Sequence, residues 1–378
     1  MKDELYKTKF DLNLTVFESF SAMRVVIRIM AIMFLVSTSQ TLFASEKNIS
    51  IKVAGYDYDR VQAIRDGTVG IEGVDIDFVV QDIYGVNKSA FGPAKEFEVT
   101  EIGLIPYITR YVNEGYRDYV LIPVFISRTF RHRNLYVNTD SDIKKPSDLK
   151  GRIIGTPGYG MSATTWLRGL LSDEHGINAY DIQWLETTKS SYGGSQKTAP
   201  VKYYFPDGFT LLEAPEGVAE HELLLSGKVD ALITSFSPST LAENPKIKTL
   251  FPDVRAAEME YYNKTKLFPI MHAIAIRADV VEEYPWLPKA VFEMYSSAKQ
   301  KAYENLGETG VLKITLPWLT EEFDTTKDLM GDNFWKYGIE ANRKELESIM
   351  RYVHDQGLVN QKVSFENLFD RTTINLKE

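Results

Sequence analysis

The chain has 378 residues, 44% of them hydrophobic and 25% charged, with no cysteine and a formal net charge of -9. That length is more than one hydrophobic core sustains and suits two lobes of ordinary size. The acidic balance excludes a protein that tracks nucleic-acid phosphates, and the lack of thiols excludes cysteine nucleophiles, thiolate metal sites and disulfides.

From Met23 the chain reads MRVVIRIMAIMFLVSTSQTLFASEKN. Arg24 and Arg28 form a basic start, Ile29 to Val36 an apolar run too short to span a bilayer, and small and polar residues lead to Ala44. Residues 1–44 are therefore read as an upstream extension and a secretory signal peptide cleaved after Ala44. Alternation predicts a strand at Ile49 to Ala54, and further strands follow at Val74 to Val80, Phe97 to Leu104 and Tyr119 to Phe125. Helical segments are expected at Val61 to Asp66 and Tyr107 to Asn113. Strand followed by helix, repeated, argues for an α/β protein with mostly parallel sheets and helices on both faces.

An extended segment near 133–140 leads into a polar, proline-containing run, 141–151, which has the composition of a lobe boundary. A second lobe opens with a strand at Arg152 to Thr156 and a glycine-rich turn, Pro157 to Ser162, before a helix at Ala163 to Leu171. Residues 188–200 read as a surface loop and Val229 to Thr234 as a strand. A second extended crossing, Phe268 to Arg277, precedes helices at Val280 to Glu283, Leu287 to Asn305, Thr320 to Met330 and Arg343 to Gln356. The chain thus divides into a first part of lobe 1 (49–135), lobe 2 (136–267), and a second crossing that completes lobe 1 (268–378). Two crossings between βα lobes imply a hinge and a cleft.

The densest polar cluster is Ser127-Arg128-Thr129-Phe130-Arg131-His132-Arg133-Asn134, just before the first crossing. Arg128 and Arg131 have the paired donors that clamp a carboxylate, and His132 has the chemistry of a hydrogen-bond donor or acid. A solvated basic turn is the plainer alternative. His272 stands in the apolar second crossing, where it is either a core residue or, with His132, a cleft residue. The turn before the second-lobe helix offers free N–H groups to an anion, with Tyr159 as a stacking face and Met161 and Ser162 beside it. Asp59, Arg60 and Glu101 follow strands whose carboxyl ends face a ligand crevice, although Asp59 and Arg60 are equally suited to pairing with each other. No tight spacing of ligands points to a metal, and no cofactor or nucleic acid is expected.

Separated blocks carry a resemblance: Tyr56 to Arg60, Ile122 to Phe125 with Ser127-Arg128 and Phe130 to His132, Phe268 to His272, Thr315 to Leu319, and Leu329 to Trp335 with Tyr337-Gly338. In order and spacing they resemble the 4,5-dihydroxyphthalate decarboxylase family, over about residues 49–378. The resemblance implies the two-lobed type II periplasmic-binding-protein fold and a cleft for a small, aromatic anion. The chain departs from the family pattern at Phe236, where the family carries an arginine, and at Gly158 and Gly160, where it tends to have larger polar residues. Phe236 is thereby assigned to the ligand site.

Two functions stay open at this level. One is a periplasmic solute-binding protein that closes on a small carboxylate and hands it to a membrane permease, a reading favoured by the export signal and by Phe236. The other is a non-oxidative aromatic decarboxylase, in which arginines hold the carboxylate that stays and His132 or His272 protonates the ring carbon.

Overall fold

Where β-branched and aromatic residues run between glycine and polar breaks, the chain forms strands, and where a polar cap precedes an apolar stripe, it forms helices. The computed structural model describes residues 48–187, 202–235 and 243–378. The signal-peptide reading, the loop at 188–200 and Phe236 lie outside the described residues.

In chain order the elements are β1 (Ile49–Gly55), α1 (Gln62–Arg65), β2 (Val74–Val80), α2 (Ile83–Phe91), β3 (Val99–Gly103), α3 (Leu104–Asn113) and β4 (Tyr119–Arg128). Then come β5 (Leu135–Asn138), β6 (Ile153–Thr156), α4 (Ser162–His175), β7 (Gln183–Glu186), β8 (Leu212–Glu213), α5 (Glu220–Leu225), β9 (Ala231–Ile233), β10 (Ile247–Thr249) and α6 (Val254–Thr265). The last are β11 (Ile270–Arg277), α7 (Ala278–Glu283), α8 (Leu287–Leu306), α9 (Leu319–Met330) and α10 (Arg343–Asp355).

The strands form two sheets, one per lobe, in the orders β2-β1-β3-β11-β4 and β10-β5-β9-β6-β7-β8. Each sheet combines parallel with antiparallel pairs. β1–β3, β6–β7, β6–β9 and β7–β8 pair in parallel. The strand that enters each sheet from a crossing runs against its neighbours: β5 against β9 and β10, and β11 against β3 and β4. A chain that crosses between lobes re-enters the sheet from its far end, which makes those pairings antiparallel. β11 is almost wholly apolar and mostly buried, and it is central in its sheet, with β3 on one edge and β4 on the other.

The two lobes are tightly joined, and Ser50–Glu378 group as a single unit. Trp166 of α4 donates its indole N–H to the Ile270 carbonyl at 2.8 Å. Its ring meets Tyr352 of α10 edge-on, and Gly169 leaves the room that the Tyr352 ring fills. α4 ends on Gly176 in the left-handed region, the conformation a helix C-terminus most often hands to glycine.

Candidate functional site between the lobes

A cavity of about 480 Å³ opens where the carboxyl ends of β1, β3 and β7 meet the two crossings. From the first lobe it is lined by Tyr56, Tyr58, Tyr84, Asn87, Ser127 and His272. From the first crossing and the second lobe come Arg131, Arg133, Asn134, Met161, Ser162, Glu186 and Ser235. The lining therefore combines aromatic faces with a few convergent polar groups, the usual composition of a small-molecule site.

His272 is the chemical centre of the first-lobe wall. Against β4 the register of β11 shifts on either side of it, from Ile270 opposite Arg128 to His272 opposite Ser127 to Ile274 opposite Ile122. An irregularity of this kind re-aims a side chain. Nδ1 of His272 lies 2.5 Å from Oε1 of Glu101, which is only 1% exposed. The same carboxylate accepts from the Tyr58 hydroxyl at 2.9 Å and from the Tyr56 backbone N–H at 3.1 Å. An acceptor so placed assigns the proton to Nδ1 and leaves Nε2 to exchange a proton with whatever enters the cavity. Burial, with the Glu101 charge, raises the Tyr58 phenol far above its ordinary range, so Tyr58 remains a donor. Tyr56 stacks beside the His272 ring at 6.4 Å between centroids.

Arg131 supplies positive charge. Its Nη1 donates to the Ser235 carbonyl at 2.9 Å and, at 3.4 Å, to Asn134, and Nε points at the Met271 sulfur. Nη2 has no partner among the described residues. Burial lowers its pKa to about 10, against the nearby Glu258 charge, so it is still a cation at neutral pH. Arg133, a member of the same polar cluster in the sequence, lines the same cavity.

Across from this wall, Ser162 and Met161 begin α4, and Ser162 Oγ accepts from the Ile105 N–H of α3 at 3.3 Å. The N-termini of α3 and α4 thus meet at the cavity; at α3 the Gly103 and Ile105 N–H groups are taken by Asn87 and Ser162 and Pro106 has none, so it is the start of α4 that offers first-turn N–H groups. Gly158 and Gly160 have local reasons. A Cβ at Gly158 would fall 2.9 Å from the Met161 side chain, and one at Gly160 would fall 2.9 Å from the Tyr203 hydroxyl. Glu186 accepts from the Tyr159 N–H at 3.0 Å, and burial raises its carboxyl above the ordinary range.

Other expected site residues are placed elsewhere. All five donors of Arg128 are engaged inside the protein: Nε and Nη2 with the Phe268 carbonyl, Nη1 with Asn342 and the Lys336 carbonyl, and Nη2 also with Glu345 at 2.8 Å. It is a packing residue with no donor left for a ligand. His132 does not share the cavity with His272. It is buried against Phe251 and Tyr261, and burial, helped by His175, lowers its pKa to about 4. Tyr159 is fully buried under the Arg168 guanidinium, 3.7 Å from its ring, and donates to the Gln356 carbonyl. Asp59 and Arg60 pair with each other at 3.1 Å, and Arg60 lies between the Tyr58 and Trp335 rings. Glu101 acts on the site through His272 and not as a lining group.

A curated relative, 4,5-dihydroxyphthalate decarboxylase of Comamonas testosteroni, is 35% identical over 322 residues, covering 85% of this chain and 96% of the relative. The chain belongs to the 4,5-dihydroxyphthalate decarboxylase family. The enzyme of the same name from Pseudomonas putida is 32% identical over 224 residues, 59% of this chain and 84% of its own. No protein-family model matches the chain. Among solved structures, a periplasmic sulfonate-binding protein from Methylobacillus flagellatus superposes with a TM-score of 0.51 at 14% identity, covering 87% of this chain and 93% of its own. That likeness establishes the two-lobed periplasmic-binding-protein fold. Within the decarboxylase family, then, the present chain pairs a binding-protein architecture with a cavity histidine held by a buried glutamate. Tyr84, Asn87 and Glu186 were missed in the sequence. Tyr84 and Asn87 sit on α2, whose one signal is its cap, Asp82, accepting from the Gly85 N–H at 2.7 Å.

Proposed function

We propose that this protein is a non-oxidative decarboxylase of a hydroxylated aromatic dicarboxylate, of the 4,5-dihydroxyphthalate type. The observation that carries the reading is the Glu101–His272 pair on the wall of a cavity that also holds Arg131 and Arg133. Family membership supports it. Arg131, through Nη2, holds the carboxylate that remains, and the start of α4 after Met161 adds donors for a second anionic group.

The imidazolium of His272 then gives its Nε2 proton to the ring carbon that bears the departing carboxylate. A new C–H bond forms there, and a hydroxyl para to that carbon feeds electron density into the ring. The bond to the carboxylate breaks, its electron pair returns to the ring, and carbon dioxide leaves. His272 regains a proton from solvent, so the net reaction consumes one proton. Glu101 keeps the ring oriented and balances the imidazolium charge.

The test is to run the reaction in deuterium oxide and examine the product by mass spectrometry and NMR. A single deuterium at the vacated carbon, with stoichiometric carbon dioxide, is expected. Return of unchanged 4,5-dihydroxyphthalate after prolonged incubation contradicts the reading. It would favour the second one, a solute-binding protein that serves a membrane permease. That alternative is supported by the export-type sequence at 23–44, which also supports a periplasmic location for either function. N-terminal sequencing of protein made with its native leader tests the location: a start at Ser45 is expected, and an intact Met1 or Met23 in the cytosol contradicts it.

A further inference from the structure

The Tyr84 hydroxyl is buried and has no hydrogen-bond partner among the described residues, although Tyr84 lines the cavity. A buried hydroxyl without a partner is costly to keep, and apolar side chains fill such positions more cheaply unless a ligand completes the bond. One helical turn on, Asn87 lines the same wall. Its Oδ1 is taken by the Gly103 N–H at 3.1 Å, which leaves the Nδ2 donors for the cavity side. The Tyr84 ring is held in place by Ala54, Ile83, Val86 and Phe97, with Tyr56 and Val79 packed against them.

We propose that Tyr84, with Asn87, recognises the adjacent ring hydroxyls of the substrate, so that α2 selects catechol-type acids over unsubstituted ones. The inference rests on the reading of this cavity as an aromatic-acid site. A hydroxyl that both donates and accepts, beside an amide that donates, matches two neighbouring phenols, each of which does both. Burial, with Tyr56, Glu220 and Asp82 nearby, pushes the Tyr84 phenol up to about 12, so it stays protonated when an anionic ligand is present. A site built to hydrogen-bond a hydroxyl discriminates strongly against the analogue lacking it, because its own polar groups are then left unpaired.

The experiment is calorimetric titration of the full-length protein and of Tyr84→Phe with two acids, 3,4-dihydroxybenzoate and benzoate. The first is what removal of one carboxylate from 4,5-dihydroxyphthalate leaves. The native protein is expected to bind the dihydroxy acid at least about tenfold more tightly, and Tyr84→Phe to remove about tenfold of that preference while leaving benzoate affinity within about threefold. The substitution keeps the ring and its packing, so its melting temperature should match the native protein's. An unchanged preference in Tyr84→Phe, or no preference in the native protein, overturns the assignment while the aromatic-acid site stands. Binding of neither acid by the native protein overturns both.

Discussion

Arg128 and Arg131 lie three positions apart, and their surroundings give them different work. Arg128 is fully enclosed, and burial lowers its pKa against the opposing Glu345 charge. Removing one member of such a pair strands the other, so Arg128→Ala is expected to destabilise the fold by about 3–5 kcal/mol, read from urea unfolding. Arg131→Ala should leave stability within about 1 kcal/mol and abolish stabilisation by bound carboxylate. If Arg128→Ala is stable and only ligand-deficient, the roles are reversed. No sequence pattern separates the two, because what distinguishes them is the arrival of Asn342 and Glu345 from more than 200 positions later. His132 gives a pH prediction. Its folded pKa, about 4, lies below the ordinary 6.5, so the unfolded chain binds the extra proton between those values. Stability from this group is therefore present above pH 6.5 and lost as pH falls toward 4, by about 3 kcal/mol in all. His132→Phe should flatten that part of the pH–stability curve relative to the native protein. Parallel curves would mean that His132 titrates normally.

At the scale of elements, the strands and long helices were readable because their signals are local. β11 was recognised as a crossing from its apolar run, and α4 from the glycine-rich turn that precedes it. α2 was not, since Gly85 stands in its first turn and its apolar face is short. Which strands run antiparallel is not a local signal either: the alternation of apolar residues says that a strand forms, and only the crossing path says which way it runs. The meeting of α3 and α4 was likewise invisible, because Ser162 reads as a cap and acts instead on the neighbouring helix, accepting from Ile105. Ser162→Ala leaves that buried N–H without its partner and is expected to cost about 1–3 kcal/mol in urea unfolding. An unchanged midpoint would show that Ile105 is served by another acceptor.

For the whole molecule, the two lobes divide the proposed chemistry. The first-lobe sheet holds the Glu101–His272 dyad and the aromatic wall, while the first crossing and the second lobe bring charge and the start of α4 to the opposite side. The blocks that resemble the decarboxylase family were enough to name the family from the sequence, because each is a contiguous run. The site itself was only half legible: His272, Arg131, Met161 and Ser162 line the cavity, but the dyad required β3 and β11 to pair with His272 opposite Gly103. The central claim is that His272 is the proton donor of a decarboxylase, and the most direct measurement is carbon dioxide release from 4,5-dihydroxyphthalate by the native protein and by His272→Gln, with ligand affinity determined for both. The account predicts turnover by the native protein, a fall of about a hundredfold or more in the variant, and affinity retained within a few-fold. Equal turnover in the two proteins, or none in the native protein despite tight binding, would contradict it.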